Sequence, residues 1–135
     1  MSAELYLDAS ALVKRYVEED GSDVVLEAMG GAGAWSICRI GFVETVRAVD
    51  AAGGGRAVKR IERDWLAFDV VEIDQALVEH AAELARSSAL RSLDALHLAA
   101  ALALPAEGLT LATWDARLHR AAREQGLSTL PGELR

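Results

Sequence analysis

Five short stretches rich in apolar and β-branched residues recur along the chain, and helical periodicity fills most of the intervals between them. The stretches are Glu4–Asp8, Ala34–Cys38, Asp69–Ile73, Leu109–Thr113 and Ser128–Leu130. Between them the 3.6-residue spacing of apolar positions predicts helices over Ser10–Glu19, Ser22–Met29, Ile40–Ala52, Arg56–Phe68, Gln75–Ser88, Leu93–Leu104 and Ala116–Gln125. Ser22 is a natural N-cap. The patches Gly30-Gly31-Ala32-Gly33 and Gly53-Gly54-Gly55 read as helix stops followed by loops. Strands separated by helices lie parallel in one sheet, joined by right-handed crossovers, with helices on both faces. This α/β pattern fixes where to look for function. In open parallel sheets ligands bind beyond the carboxyl ends of the strands.

Length and composition limit what such a site can do. The 135 residues fit a single domain spanning residues 1–135. With 52% hydrophobic and 26% charged residues the chain is globular rather than disordered. Its formal charge of −7 excludes nucleic-acid binding through bulk basic charge, so a role on nucleic acid needs a local device such as a bound cation. Cys38 is the only cysteine, which excludes an internal disulfide and fits a reducing compartment. The start, Met1-Ser2-Ala3-Glu4, lacks the basic and apolar regions of a signal peptide. The longest apolar run, Leu98–Ala106, falls well short of the roughly 20 residues a membrane span needs. The expectation is a cytoplasmic protein without membrane contact.

Four acidic residues stand out to different degrees. Asp8 closes the first strand and Asp115 follows the fourth, each just before a helix. Both are either helix caps or carboxylates at the ligand edge of the sheet, and they converge if their strands are neighbours. Asp94 lies in Leu93–Leu102, which is apolar nearly all round and therefore buried. Ser92 as cap would put Asp94 in the first turn, where the helix dipole favours a negative charge. Glu44 falls opposite an apolar face made by Phe42, Val43, Val46 and Val49, so periodicity alone reads it as solvated. His97 shares a helix face with Asp94 and reads as a packed residue behind the site rather than a ligand. Two basic stripes occur, Arg56/Lys59/Arg60/Arg63 and Arg117/Arg120/Arg123. Each is either a solvated face or a phosphate cradle. The second has the stronger claim, with Arg117 and Arg120 as substrate-binding candidates, because its helix begins beside Asp115.

Taken together, these pieces resemble the PIN-domain family, and within it the VapC toxins of bacterial toxin–antitoxin pairs. The resemblance runs through Tyr6-Leu7-Asp8-Ala9-Ser10-Ala11-Leu12-Val13-Lys14, Phe42-Val43-Glu44-Thr45, Leu93-Asp94-Ala95-Leu96-His97-Leu98-Ala99 and Thr113-Trp114-Asp115-Ala116-Arg117-Leu118, followed by Ala121-Ala122 and Gly126. It implies a three-layer α/β/α sandwich around a parallel sheet. It further implies that Asp8, Glu44, Asp94 and Asp115 converge to bind Mg²⁺ or Mn²⁺ and hydrolyse RNA phosphodiesters, with Ser10 and Thr113 lining the pocket. A cognate antitoxin and a homodimer are the partners it implies. Trp114 departs from the family's usual small residue and is expected to narrow the cleft.

Two other readings use the same residues. An aspartate-nucleophile phosphatase or dehalogenase would use Asp8, but it wants a lysine after a later strand, and this chain has only Lys14 and Lys59. A non-catalytic interaction domain of the same fold would have no need of all four carboxylates.

Overall fold

The computed structural model of the chain describes residues 3–105 and 107–134. Met1, Ser2, Ala106 and Arg135 lie outside it, and with them the first residues of the N-terminus and the end of the apolar run read above. The strands are β1 (Glu4–Leu7), β2 (Ala34–Cys38), β3 (Phe68–Val71), β4 (Leu109–Ala112) and β5 (Ser128–Leu130). The helices are α1 (Ala9–Tyr16), α2 (Ser22–Gly31), α3 (Gly41–Ala51), α4 (Val58–Trp65), α5 (Gln75–Ser87), α6 (Ser92–Leu102) and α7 (Ala116–Glu124). Most expected elements occur within a few residues of their predicted bounds. The largest change is in the predicted helix Arg56–Phe68. A short 3-10 turn, Gly55–Ala57, precedes α4, and Phe68 opens β3. Ser22 is not a cap. Gly21 takes that place with φ +92, and the Ser22 hydroxyl donates to the Val17 carbonyl instead.

All strand pairs are parallel, in the order β3-β2-β1-β4-β5. The chain builds outward from β1 to β3, then crosses to the other side of β1 to lay down β4 and β5. That reversal puts a switch point between β1 and β4, the place where an open α/β sheet forms a crevice. Side chains of β1 alternate between two apolar layers, as a strand covered on both faces requires. Leu5 and Leu7 pack with Leu12, Val25 and Met29 from α1 and α2, and with Trp65 from α4. Tyr6 packs on the other face with Leu98, Leu84 and Leu118 from α6, α5 and α7. The result is the expected three-layer α/β/α sandwich.

Helix α3 packs along α1 at the margin of the sandwich. Its buried residues are Gly41, Thr45 and Val49, whereas Val43 is exposed. The apolar face read from Phe42, Val43, Val46 and Val49 is therefore rotated from the one that is buried. Gly41 explains the rotation, because a Cβ there would collide with the Ile37 side chain. Absence of that Cβ lets α3 sit close against β2, and Glu44 then lies on a flank rather than on the solvent side.

Candidate active site at the ends of the central strands

Parallel pairing of β1 with β4 matches Leu7 to Ala112 and so sets Asp8 beside Thr113. Asp8 caps α1 and is buried at 4% exposure. A buried carboxylate needs partners, and Asp8 has three. The Ser10 hydroxyl and the Ala11 N–H donate to Oδ1 at 2.7 and 3.0 Å, and the Thr113 hydroxyl donates to Oδ2 at 2.5 Å. Both hydroxyls are held in turn from β4's end. The Trp114 N–H donates to Ser10 Oγ at 2.8 Å and the Asp115 N–H donates to Thr113 Oγ1 at 3.0 Å. Burial still pushes the Asp8 carboxyl above its ordinary value, against the His97 ring and these hydrogen bonds, which lower it.

Asp115 combines both of its candidate roles in one side chain. Its Oδ1 accepts from the Arg117 and Leu118 N–H groups at 3.0 Å each, capping α7, while Oδ2 turns toward the Arg91 guanidinium, 2.9 Å away. Asp94 sits in the first turn of α6, as expected, although Arg91 rather than Ser92 occupies the N-cap position. Burial raises the Asp94 carboxyl, the charge of Asp115 raises it further, and Arg91 opposes both.

Glu44 is brought in from the flank by a chain of buried groups. The Cys38 N–H donates to the Tyr6 hydroxyl at 3.0 Å. Tyr6 lies 2.7 Å from His97 Nδ1, and His97 Nε2 lies 2.6 Å from Glu44 Oε1. One proton arrangement satisfies every group. Tyr6 O–H donates to Nδ1, and the Nε2–H of His97 donates to Glu44. His97 is thus the packed residue expected from the sequence, and it also fixes a carboxylate. Tyr6 was not foreseen. An apolar strand with one tyrosine at its centre was the available signal, since a buried phenol needs a hydrogen-bond partner. Tyr6→Phe is expected to leave two buried groups unpaired, each costing about 1–3 kcal/mol. Chemical denaturation would show the loss as a lower midpoint at constant slope, whereas an unchanged midpoint would mean the relay is not strained by losing the hydroxyl.

Asp8, Ser10, Glu44, Asp94, His97 and Asp115 line one cleft of about 410 Å³, together with Arg91, Ser92 and Leu93. Thr113 stands behind Asp8, fully buried. Three further residues named from the sequence lie outside this lining. Arg117 and Arg120 do not line the cleft. Helix α7 rises about 1.5 Å per residue away from its cap at Asp115, and Arg120 pairs with Glu124 at 3.4 Å on the exposed surface. Nor does Trp114 narrow the opening. Its ring turns toward α1 and lies under the Lys14 ammonium, 4.9 Å from the ring centre, and against Gly21. Arg91, the lining residue that sequence reading missed, is the cleft's cation among the described residues. Its pairing with Asp115 spans 24 positions, and no periodicity reports such a contact.

The donor set suits a hard divalent cation, which takes oxygen ligands. Among the described residues no three Asp, Glu, His or Cys side chains close around a single point. The carboxylates therefore share a cleft without the tighter convergence expected from sequence. An ion of the magnesium kind commonly uses one or two carboxylates and keeps several waters, which this spread accommodates.

Comparisons with known proteins agree with this geometry. The family model described as "PIN domain" matches residues 5–124. Ribonuclease VapC49 of Mycobacterium tuberculosis is 37% identical over 139 residues, covering 96% of each chain. Among solved structures, Mycobacterium tuberculosis VapC20, titled a sarcin-ricin loop cleaving toxin, superposes with a TM-score of 0.72 at 16% identity, covering 87% of this chain and 94% of its own. A toxin–antitoxin complex from Klebsiella pneumoniae matches with a TM-score of 0.66 at 20% identity over 83% of this chain and 87% of that one. The carboxylate-lined crevice at the β1/β4 switch point, the five-stranded parallel sheet and the near-full-length kinship lead to one assignment: the chain belongs to the PIN-domain family, among its VapC-type members.

Proposed function

We propose that this protein is a divalent-metal-dependent endoribonuclease, the toxin half of a toxin–antitoxin pair. The single observation that carries the reading is the cleft itself, where Asp8, Glu44, Asp94 and Asp115 are gathered from four separate parts of the chain. Nothing structural requires so many carboxylates in one crevice, because like charges placed together oppose folding. The ribonuclease name of the 37% identical relative supports the reaction class.

Asp8, Glu44, Asp94 and Asp115 are the set that would hold the ion, Mg²⁺ or Mn²⁺, one or two of them directly and the others through waters that the ion keeps. When bound, such an ion lowers the pKa of a coordinated water and stabilises negative charge on phosphoryl oxygens. The protein's own residues provide the rest. Ser10, Thr113 and the Ala11 N–H lock the Asp8 carboxyl in one orientation. His97 does the same for Glu44. Capping of α7 by Asp115 Oδ1 leaves Oδ2 as that residue's cleft-facing oxygen. An acidic cleft repels RNA phosphate, and a divalent cation reverses the sign of the local field.

The partners in this reading are RNA, a small antitoxin and a second copy of the chain. The solved complex of the same fold supports the antitoxin. Among the described residues no helix is long and apolar enough to cross a membrane, and the proposed setting is the cytoplasm. Induced expression in a bacterial host is expected to stop growth, co-expression of the antitoxin to restore it, and Asp8→Asn to be harmless. Plating efficiency is the measurement, and equal counts for wild type and Asp8→Asn would overturn the toxin reading.

A further inference from the structure

The cleft contains a cation of its own, and its contacts fall on the oxygens a metal would need. Arg91 reaches Asp115 Oδ2 through Nη2 at 2.9 Å and Asp94 Oδ2 through Nε at 3.4 Å. Asp115 Oδ1 already accepts two backbone N–H groups, so Oδ2 is the oxygen it has left for a ligand. The guanidinium and a divalent ion therefore compete for one atom. Arg91 is also free to leave. Its side chain is 66% exposed, against 14% for Asp94 and 22% for Asp115, so the guanidinium can leave into water while the carboxylates stay in the cleft. Its anchoring is through the backbone alone, where the Arg91 carbonyl accepts the Ala95 N–H at the start of α6. The side chain can thus swing at the cleft mouth without moving the helix.

We propose that Arg91 is a displaceable counter-ion. It neutralises Asp94 and Asp115 until a divalent cation takes their Oδ2 atoms, and the released guanidinium then binds a phosphate of the incoming RNA. This rests on the ribonuclease reading for its second half only. A planar fork of five donors suits both partners in turn, since it pairs with carboxylate and phosphate alike. The exchange supplies a positive group at the mouth where Arg117 and Arg120 supply none.

Two measurements test it on the full chain. Calorimetric titration with Mn²⁺ alone is expected to show Arg91→Ala binding the ion about three- to ten-fold more tightly than wild type, because a competing charge-assisted hydrogen bond is gone. Arg91→Lys, which keeps the charge and loses the fork, should fall between them. Unchanged or weaker Mn²⁺ binding in Arg91→Ala overturns the counter-ion role. RNA binding is read by fluorescence anisotropy of a cleavage-resistant 2′-O-methyl phosphorothioate single-stranded oligonucleotide in saturating Mn²⁺, with all four carboxylates intact. Adding Arg91→Ala is expected to weaken binding and to reduce the slope of log K against log salt by about 0.7, the value of one phosphate contact on a single strand. An unchanged slope overturns the phosphate role. If wild type cleaves no RNA while Arg91→Ala still gains Mn²⁺ affinity, the ribonuclease reading fails and the counter-ion role stands.

Discussion

Asp8→Asn and Asp94→Asn each lower the rate of metal-supported RNA cleavage by about 100-fold or more, a barrier increase of about 2.7 kcal/mol. The two substitutions reach that result by different routes. At Asp8 the amide replaces a carboxylate that accepts from Ser10, Ala11 and Thr113. An amide nitrogen cannot accept a hydrogen bond, so one of those donors loses its partner and the side chain turns. At Asp94 the loss is mainly of charge, next to Asp115 and opposite Arg91. Both variants are expected to fold, since neither changes side-chain volume. Initial rates on a labelled RNA, with circular dichroism on the same samples, make the check. Wild-type rates in both variants, or full wild-type activity in excess EDTA, would remove the carboxylates from the reaction.

Mn²⁺ raises the melting temperature of the wild-type protein by roughly 5–15 °C over EDTA, and Asp94→Asn loses most of that shift. At 100 times its dissociation constant a ligand adds about 2.7 kcal/mol of stability, which for a domain of this size gives a shift of that order. The same pair of proteins reveals the charge crowding through pH. Burial and the neighbouring Asp115 lift the folded-state Asp94 carboxyl above its ordinary value of 3.8. Between that value and the raised one the folded chain binds more protons than the unfolded chain. Stability therefore falls as pH rises through the window. Asp8, also raised by burial, contributes in the same direction. Asp64 and Glu72, lowered by their partners, contribute oppositely, but equally in both proteins. The readout is the difference between wild type and Asp94→Asn, measured in EDTA from about pH 4 to pH 7. A Mn²⁺ shift of equal size in both proteins would mean that Asp94 does not share the site.

The sequence carried the elements and two of the four carboxylates through local rules. Asp8 and Asp115 each end an apolar strand and open a helix, and both cap those helices in the structure. Asp94 was visible as a charge in an apolar helix. Glu44 was hidden because α3 buries its small residues. Periodicity weighs Phe42 and Val43 heavily, yet close approach at Gly41 decides which way the helix faces. The resemblance, not the pattern, selected Glu44. Arg91 left one local trace, its i,i+3 spacing to Asp94, but its partner Asp115 lies 24 positions away and comes into reach only because α6 packs against α7. Arg117 and Arg120 stand outside the cleft lining for the converse reason. Nearness in sequence to Asp115 says nothing about the direction in which α7 leaves it.

The strand order has a consequence for synthesis. The centre of the sheet, β1, is made first, but its second neighbour, β4, is made next to last. A nascent chain that has not reached residue 109 lacks both Thr113, which fixes Asp8, and Asp115, and it leaves one edge of its most buried strand unpaired. Pairing across that distance in sequence is slow compared with local helix formation. A fragment that stops before β4 therefore carries no assembled acidic site.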